Sequence, residues 1–229
     1  MNNWETIWNK RKTNIGKDIL NDILKADGFD KGAGRIEKAD WIRYTRWIGK
    51  KLGISNENSI FEVGCGAGAM LYDYYSNMNC TVAGIDYSNE HIQIAKKVMP
   101  DMDFQTQEAK DLSTDKKFDY VISMGVFEYF PNDDYTNIVL EKMIDKAKVA
   151  IAILDSNNIE LFDLAKELRR GALSDNEYAK KYKGLEHKFF SKQYFENFAR
   201  EHLLEIEVFD QQIDNYLNAN FRFNIIYRK

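Results

Sequence analysis

The feature that most constrains the fold of this chain is a regular alternation of short apolar runs and helical stretches between residues 59 and 154. The apolar runs predict strands at 59–63, 81–85, 102–105, 118–124 and 148–154. Helical periodicity predicts helices at 68–77, 89–98, 134–146 and 157–170. Because strands that alternate with helices form parallel sheets covered on both faces, the sequence predicts a doubly wound α/β fold.

Helices are also predicted ahead of this alternation. Residues 3–12 and 35–52 carry apolar side chains at helical spacing, and a glycine-bearing loop at 26–34 separates them. Gly53 follows the second helix, at the position where glycine commonly ends a helix. We therefore expect a cap of N-terminal helices beside the sheet.

The C-terminal part has a different pattern. Ser174 and Glu177 can form a capping box for a short helix, and Ser191 can cap a second. Two strands follow, Leu204–Phe209 and Phe221–Tyr227, with no long helix between them. Two successive strands without a helix between them predict an antiparallel pair. The parallel sheet is therefore expected to have an antiparallel edge.

A glycine-rich loop marks the expected ligand site. In FEVGCGAGAM, residues 61–70, a strand runs directly into a loop with Gly64, Gly66 and Gly68. Glycine allows positive φ and lets the backbone approach a ligand closely. Asp86 ends the second predicted strand 20 residues after Gly66, which is the usual place of an acid that binds ribose hydroxyls. The loop and this acid together predict a nucleotide-like ligand at the switch point of the sheet.

The charge beside the loop indicates which nucleotide-like ligand the loop binds. The NAD fingerprint is GxGxxG with a pyrophosphate at the helix N-terminus. Here the spacing is GxGxG, and Glu62 precedes it by two residues. A carboxylate repels a pyrophosphate but attracts an ammonium group. S-adenosylmethionine carries an adenosine, an ammonium and a sulfonium but no phosphate, so it suits this loop better.

These residues resemble the class I S-adenosylmethionine-dependent methyltransferases. The resemblance runs from about Ile60 to Leu154 and rests on FEVGCGAG, GIDYS, QEAKDL and FDYVISMGVFEYF in that order. It implies a Rossmann-like, seven-stranded sheet whose last strand is antiparallel. It also implies S-adenosylmethionine as cofactor and S-adenosylhomocysteine as product.

The same resemblance implies a set of cofactor-binding residues. The methionine end would be lined by Glu62, Gly64, Gly66 and Gly68, with Cys65 in the same loop and not expected to be a nucleophile. The ribose hydroxyls would bind Asp86, and the adenine would lie between Tyr87 and the pair Glu108 and Ala109. Met124 and Gly125, at the end of the fourth strand, would pass under the cofactor.

Several classes of acceptor and compartment are disfavoured. The net charge of −4 and pI near 5.5 argue against a general nucleic-acid binder. The fourth strand is followed by SMGVFEYF, without the Pro-Pro tetrapeptide usual in amino-directed nucleic-acid enzymes of the family. No apolar run reaches membrane-span length, MNNWETIWNKRK at residues 1–12 lacks the apolar region expected of a signal peptide, and Cys65 and Cys80 form no disulfide or metal pattern. A small-molecule acceptor and a cytoplasmic location are therefore expected.

The acceptor pocket is expected to come from parts outside the common core. Aromatic side chains that could close over the acceptor are Trp4, Trp8, Phe127, Tyr129, Phe130, Tyr178 and Tyr182. Residues 163–200 carry nine Lys and Arg against six Asp and Glu, which fits either an anionic acceptor such as a phosphorylated sugar or a solvated helix face. A loose similarity of LEHKFFSKQYF and FRFNIIYRK to bacterial small-molecule enzymes favours methylation of oxygen. The identity of the acceptor is not predicted from the sequence.

Two residues are predicted to act on the acceptor. Glu128 follows the fourth strand, at the sheet end where acceptors meet the methyl group in this family. His187 lies between two predicted helices, and an imidazole can accept a proton from a hydroxyl at neutral pH. His91 is expected to face solvent and His202 to end a helix. No metal is predicted, because Asp155 and Asn157 form only part of the cluster that a metal-dependent enzyme needs.

The chain is divided into one domain with four parts. Only two prolines and no flexible linker interrupt it, which favours a single domain over 1–229. The parts are an N-terminal helical cap (1–54), a cofactor-binding core (55–154), a helical substrate-cap segment (155–202) and a C-terminal strand pair (203–229). Two alternatives remain: a module that binds S-adenosylmethionine without catalysis, and, less favoured by GxGxG, an NAD-dependent oxidoreductase.

Overall fold

A computed structural model describes residues 3–11 and 13–229 of the chain. The helices are α1 (Asn3–Asn9), α2 (Ile19–Ala26), α3 (Lys38–Leu52), α4 (Ala69–Met78), α5 (Asn89–Val98), α6 (Asp133–Lys146), α7 (Phe162–Arg170), α8 (Asp175–Lys181) and α9 (Lys192–Glu201). The strands are β1 (Ser59–Val63), β2 (Thr81–Asp86), β3 (Asp103–Thr106), β4 (Phe118–Met124), β5 (Ala147–Asn157), β6 (Glu205–Asp210) and β7 (Arg222–Arg228). Short 3₁₀ helices lie at Gly32–Gly34, Ala109–Asp111, Phe127–Tyr129, Ile159–Leu161 and Leu217–Phe221.

The strands form one seven-stranded sheet in the order β3-β2-β1-β4-β5-β7-β6. Strands β1 to β5 pair in parallel, and β7 is antiparallel to both β5 and β6. The predicted doubly wound sheet with an antiparallel last strand is therefore confirmed. The chain moves outward from β1 to β3 and then returns to β4, so a crevice opens between the loops that follow β1 and β4.

The core consists of two apolar layers, one on each face of the sheet. Successive strand residues alternate between the layers, as in Ile60 and Phe61 of β1. One layer packs against α2 to α5, where Trp41 and Tyr44 are almost fully buried. The other packs against α6 and α9, where Phe195 is fully buried. The central strands are apolar on both faces because both faces are covered.

Several local predictions are confirmed. Gly53 ends α3 with a φ of 82°, a left-handed conformation that glycine adopts without strain. Ser174 and Glu177 form the predicted capping box of α8, and Ser191 caps α9 by accepting a hydrogen bond from the Tyr194 N–H. These elements were predictable because capping depends on residues only three positions apart.

The N-terminal region differs from the prediction in two ways. Helix α1 is shorter than the predicted 3–12, and Lys12 lies outside the described residues. Helix α2 was not predicted, although its apolar residues recur at i, i+1, i+4 and i+5 and the buried ones include Ile23 and Leu24. This helix matters because its end points at the glycine loop.

Strand β5 runs three residues beyond its predicted end. Asp155, Ser156 and Asn157 are polar, yet all three are buried, and β5 pairs with β7 as far as Asn157. The predicted helix at 157–170 consequently begins only at Phe162, after a 3₁₀ turn. A polar strand end of this kind is stabilised by its partner strand and gives no apolar signal in the sequence.

In the part of the chain that the structure describes, no helix combines the length and apolar character that crossing a bilayer requires.

Candidate functional site

The loop after β1 turns back on the end of β2. The N–H groups of Gly64 and Cys65 both donate to the Ile85 carbonyl, at 2.8 and 2.9 Å. The Gly68 N–H donates to the Cys65 carbonyl at 2.8 Å. Three of the six N–H groups between residues 64 and 69 are thus used by backbone carbonyls.

Two carboxylates accept the remaining three loop hydrogen bonds. Asp86 Oδ2 accepts the Gly66 N–H at 2.9 Å. Asp27, at the end of α2, accepts the Ala67 N–H at 2.6 Å and the Ala69 N–H at 3.2 Å. All N–H groups from residue 64 to residue 69, a fully described stretch, therefore donate within the protein.

This arrangement decides between anionic and cationic ligands. A pyrophosphate binds at a helix N-terminus through unpaired backbone N–H groups. Here those groups already serve Asp27 and Asp86, and a further anion would meet two carboxylates. The loop consequently disfavours a dinucleotide and suits a ligand with positive charge.

The glycines of the loop make room for protein side chains. A Cβ atom on Gly64 would lie 2.4 Å from Val126 Cγ2, and one on Gly66 would lie 2.3 Å from Asp27 Oδ1. Both residues have positive φ, of 73° and 52°. Each glycine is therefore required by the protein's own packing, in addition to any close approach by a ligand.

A cavity of about 420 Å³ opens over the carboxyl ends of the strands. Its acidic lining residues are Asp27, Glu62, Asp86, Glu108, Glu128 and Asp155. Arg222 is the only Lys or Arg among the described lining residues, and it pairs with Glu128 and Asp155. The cavity is therefore strongly acidic and lacks the positive charge that an anionic acceptor would need.

Most predicted site residues meet in this cavity. The predicted cofactor residues that line it are Glu62, Gly64, Cys65, Gly66, Asp86, Tyr87, Glu108, Ala109, Met124 and Gly125. Glu128 and His187 line it as well. Gly68 is the exception: it starts α4 and faces Met99, whose Cε would lie 2.4 Å from a Cβ at this position. Its predicted place beside the ligand is corrected to a packing position between α4 and α5.

Comparison with known proteins identifies the chain. A sequence profile described as a methyltransferase domain matches residues 60–149. A putative methyltransferase 235L of Invertebrate iridescent virus 6 is 26% identical over 118 residues, which cover 49% of this chain and 44% of the viral protein. The chain carries a class I S-adenosylmethionine-dependent methyltransferase domain. The curated relatives that it matches are longer, and it spans between 34% and 55% of their lengths.

Solved structures share the fold of this methyltransferase domain. Magnesium protoporphyrin IX methyltransferase from Synechocystis PCC 6803, with bound S-adenosylmethionine, has a TM-score of 0.61 at 14% identity, over 95% of this chain and 100% of that one. The plantazolicin methyltransferase BpumL, in complex with a triazolic desmethylPZN analog and S-adenosylhomocysteine, has a TM-score of 0.65 at 14% identity. That match covers 100% of this chain and 99% of the other. At such identities the likeness concerns the fold.

The end of the cavity predicted to hold the methionine part of the cofactor contains a buried carboxylate with a free oxygen. Glu62 is only 2% exposed, and its Oε2 atom has no hydrogen-bond partner among the described residues. Burial raises the pKa of Glu62 well above its usual value, and nearby Asp27 and Asp86 raise it further. A buried, unpartnered carboxylate oxygen is costly unless a ligand satisfies it, and the ammonium group of S-adenosylmethionine can do so.

The adenosine end of the methyltransferase site is framed by β2 and the loop after β3. Asp86 is 8% exposed and holds both the Gly66 N–H and the Ser88 N–H, at 2.9 and 2.8 Å. Each carboxylate oxygen has a second lone pair for a ribose hydroxyl. Glu108 accepts a hydrogen bond from the Tyr135 hydroxyl at 2.9 Å, which orients this exposed carboxylate at the cavity rim.

The opposite end of the cavity contains a buried ion-pair cluster. Arg222 donates to Asp155 and lies 3.1 Å from Glu128 Oε1. The Asp155 carboxylate also accepts from the Tyr216 hydroxyl and the Gln211 amide, both at 2.8 Å. Both carboxylate oxygens of Asp155 are therefore engaged, and this residue, which the sequence offered only as part of an incomplete metal set, anchors Arg222. Among the described residues no group of three or more His, Cys, Asp or Glu side chains is placed to hold a metal ion.

Glu128 retains one free acceptor in this cluster. Its side chain is 2% exposed, and no residue in the described part of the chain makes a hydrogen bond to Oε2. Burial raises the pKa of Glu128 to about 7, although Arg222 opposes the shift. A carboxylate that titrates near neutrality and faces a cavity is well matched to a proton-transfer role.

His187 lies in an aromatic cluster beside the cavity. Its ring stacks on Trp4 with a centroid distance of 4.8 Å and meets the edge of Tyr129 at 5.3 Å. Its Nε2 atom is buried and has no hydrogen-bond partner within residues 3–11 and 13–229. Burial lowers the pKa of His187 well below 6.5, and nearby Arg169 and Arg222 lower it further. The imidazole is therefore neutral at pH 7 and a weaker base than its unperturbed pKa suggested.

The structure places some of the aromatic residues predicted for the acceptor pocket in the cavity, and it places the basic residues predicted for an anionic acceptor outside the lining. Of the predicted aromatic residues, the cavity is lined by Trp4, Trp8, Tyr129 and Phe130 but not by Phe127, Tyr178 or Tyr182. None of the Lys and Arg residues between 163 and 200 lines it, although Arg169 lies beside two lining residues, 5.7 Å from the Trp4 ring centroid and near enough to His187 to lower its pKa. The structure thus gives the anionic acceptor no support.

The expectation for His91 is wrong. The side chain is 3% exposed, and its Nε2 atom lies 3.1 Å from the Ala26 carbonyl at the end of α2. His91 also lines the cavity and faces Asp27 and Asp86. It is buried because α2, which was not predicted, covers this face of α5.

Sequence reasoning missed two charged residues of the site. Asp27 was placed only in a glycine-bearing loop, and Arg222 only in a C-terminal strand. The signal that could have revealed Asp27 is the apolar spacing of α2, which puts it at a helix end. Arg222 gave no local signal, because its partner Asp155 lies 67 residues away in the chain.

Proposed function

We propose that this chain transfers a methyl group from S-adenosylmethionine to a hydroxyl oxygen of a small, uncharged molecule, such as a sugar or a natural product. The proposal rests on the two ends of one cavity. One end offers carboxylates to a cationic ligand, and the other holds unpartnered Glu128 Oε2 and His187 Nε2. A phosphorylated acceptor is less favoured because Arg222, the only Lys or Arg among the described lining residues, already pairs with two acids.

Glu62 and Asp86 would hold the cofactor at its methionine and ribose groups, and Met124 and Gly125 would lie beneath it. When bound, S-adenosylmethionine supplies a methyl group on a positively charged sulfur, which is a good leaving group. The protein's task is to align the acceptor and to take its proton, and alignment alone can contribute much of the rate.

Glu128 is the proposed general base. As the acceptor oxygen bonds to the methyl carbon and the carbon–sulfur bond breaks, the hydroxyl proton passes to Glu128 Oε2. Arg222 holds the carboxylate through Oε1, and Oε2, which has no partner among the described residues, would be available to the acceptor. His187, neutral and partly buried, would orient the same hydroxyl or a neighbouring group through Nε2.

A calorimetric and a turnover experiment test the proposal. Titration with S-adenosylhomocysteine should give micromolar affinity, about −8 kcal/mol, whereas NADH should not bind. A screen of hydroxyl-bearing acceptors should then yield S-adenosylhomocysteine and a methylated product. NADH binding without any response to S-adenosylhomocysteine contradicts the cofactor assignment. Cofactor binding with turnover only on phosphorylated acceptors contradicts the uncharged-acceptor proposal.

A further inference from the structure

Asp27 joins the N-terminal helices to the glycine loop. It lies at the end of α2, and its two carboxylate oxygens accept the Ala67 N–H at 2.6 Å and the Ala69 N–H at 3.2 Å. Gly66 admits this contact, since a Cβ there would come within 2.3 Å of Asp27 Oδ1. The loop is therefore shaped around a side chain from a segment 40 residues earlier in the chain.

The contact serves first as a helix cap. Helix α4 begins after Gly68, which has no side chain to accept its first N–H groups. Asp27 supplies that cap from another part of the fold, and the positive end of the helix dipole favours its negative charge.

The surroundings nevertheless oppose the charge on Asp27. Glu62 at the end of β1 and Asp86 at the end of β2 are the neighbouring acids, and His91 on α5 is the neighbouring base. Burial raises the pKa of Asp27 to about 6, against the opposite effects of His91 and the two loop N–H groups. Arg11 does not compensate, because it is paired with Asp30 and donates to the Lys25 carbonyl.

A cap alone does not account for this cluster. Asp27 lines the cavity, and each of its oxygens can accept a second hydrogen bond. Glu62, in the same end of the cavity, has a buried Oε2 atom without a partner. Two acids that repel each other and face one cavity, with no Lys or Arg among the described lining residues there, form a site for a positively charged group.

We propose that Asp27 is a second anionic contact, beside Glu62, for the positively charged methionine end of S-adenosylmethionine, and that it couples cofactor binding to the packing of α2 on the glycine loop. This inference rests on the cofactor assigned to the site above. It makes Asp27 a positioning residue supplied by the N-terminal cap, outside the segment that matches the family profile.

The proposal predicts that cofactor affinity depends on pH and that cofactor binding releases protons. Below about pH 6, Asp27 is largely protonated in the ligand-free protein, so a cation that binds beside it must displace a proton. Above that pH the carboxylate is already ionised. Affinity for the cofactor should therefore rise as the pH increases through about 6, with protons released on binding in that range. Burial also raises the pKa of Glu62, so only the protons whose release is lost in an Asp27 variant are assigned to Asp27.

Calorimetry on the wild-type chain gives the first test. Titration with S-adenosylmethionine at pH 6, in two buffers of different ionisation enthalpy, should show proton release, and less of it at pH 8. Equal apparent enthalpies in both buffers at pH 6 would overturn the proposal. If neither S-adenosylmethionine nor S-adenosylhomocysteine binds at any pH, the cofactor assignment fails, and with it the proposed function.

Two matched variants give the second test. Asp27→Asn removes the charge but keeps the size of the side chain, and Asp22→Asn removes a charge on the same helix that pairs with Lys25 and does not line the cavity. The Asp27 variant should lose about tenfold in affinity for S-adenosylmethionine and less for S-adenosylhomocysteine, which lacks the sulfonium charge. It should also lose the proton release at pH 6, whereas the Asp22 variant should keep both.

The ratio of the two affinities separates an electrostatic contact from a structural cap. Damage to the loop would weaken both ligands by the same factor, because both need the same folded site. No loss for either ligand, or an equal loss for both together with unchanged proton release at pH 6, would show that Asp27 only caps α4.

Discussion

The cofactor end of the cavity takes its predicted residues from a few short stretches of chain, whereas the acceptor end gathers its residues from widely separated segments. Glu62 to Gly66 and Asp86 lie within 25 residues of one another. Glu128, His187 and Arg222 span almost a hundred. The first end is therefore readable from the sequence, and the second exists only after the sheet has formed.

The two ends also differ in whether a basic side chain balances the charge of their carboxylates. At the cofactor end Glu62 has no cationic partner in the described protein, so its charge is left for a ligand. At the acceptor end Arg222 balances Asp155 and partly balances Glu128. This difference predicts that substitutions at one end change cofactor affinity, while substitutions at the other change turnover or stability.

The largest effect is expected for Glu128→Gln. Loss of a general base typically costs about 10²–10⁴-fold in turnover, while affinity for S-adenosylhomocysteine should be unchanged. In the wild type, turnover should rise with pH through about 7 as Glu128 loses its proton, and this limb should vanish in the variant. The exposed Glu141→Gln on α6 is the control. Near-normal turnover of the Glu128 variant would remove the base from the mechanism.

Arg222→Leu should chiefly destabilise the fold. It leaves two buried carboxylates, Asp155 and Glu128, without their cation, which typically costs about 3–5 kcal/mol. Arg35→Leu breaks an exposed pair with Glu37 and should cost less than about 1 kcal/mol. Denaturant unfolding of the ligand-free proteins measures both. Equal losses would mean that the buried cluster contributes no more than a surface pair.

Glu62→Gln should separate function from stability. Loss of a charge-assisted hydrogen bond of about 1.5–3 kcal/mol should weaken cofactor binding roughly 10- to 100-fold. The folded-state pKa of Glu62 is raised, so its ionisation destabilises the fold progressively as the pH rises above its unfolded value. The variant should therefore melt at a higher temperature than the wild type at pH 8, with little difference at pH 4. A lower melting temperature at pH 8 would contradict this account.

The smallest effect is expected for His187→Gln. A neutral hydrogen bond to the acceptor is worth about 0.5–1.5 kcal/mol, so KM should rise roughly 2- to 12-fold with cofactor affinity unchanged. Because burial keeps the imidazole neutral, no limb of the pH profile should be lost. A loss of turnover as large as that of the Glu128 variant would instead make His187 the base.

The fold could be predicted largely from the sequence because its signals are local. The strand before the glycine loop, the spacing to Asp86 and the caps at Ser174 and Ser191 each depend on neighbouring residues. The two boundaries that failed most, the end of β5 and the start of α7, depend instead on pairing with β7. Local patterns do not contain such long-range pairing.

The site was less predictable for the same reason. His91 looks like a solvent-facing helix residue until α2 covers it, and its contact with Ala26 joins positions 65 residues apart. The pKa of His187 depends on burial and on two arginines from other segments. Residue types at the site could be anticipated, but their partners, and hence their charges, could not.

The position of β7 has a consequence for how the protein is made. Although β7 is the last strand in chain order, it lies inside the sheet between β5 and β6 and carries Arg222. During synthesis, β5 and β6 are therefore made before the strand that pairs with both of them. Until Arg222 is added, Asp155 has no ion-pair partner. We expect a nascent chain that stops before residue 222 to expose the unpaired edges of these two strands and to depend on chaperones. The open edges of β5 and β6 pair only when β7 has been synthesised. The ion-pair cluster of Arg222, Asp155 and Glu128 therefore forms after the glycine loop and Asp86 have been synthesised.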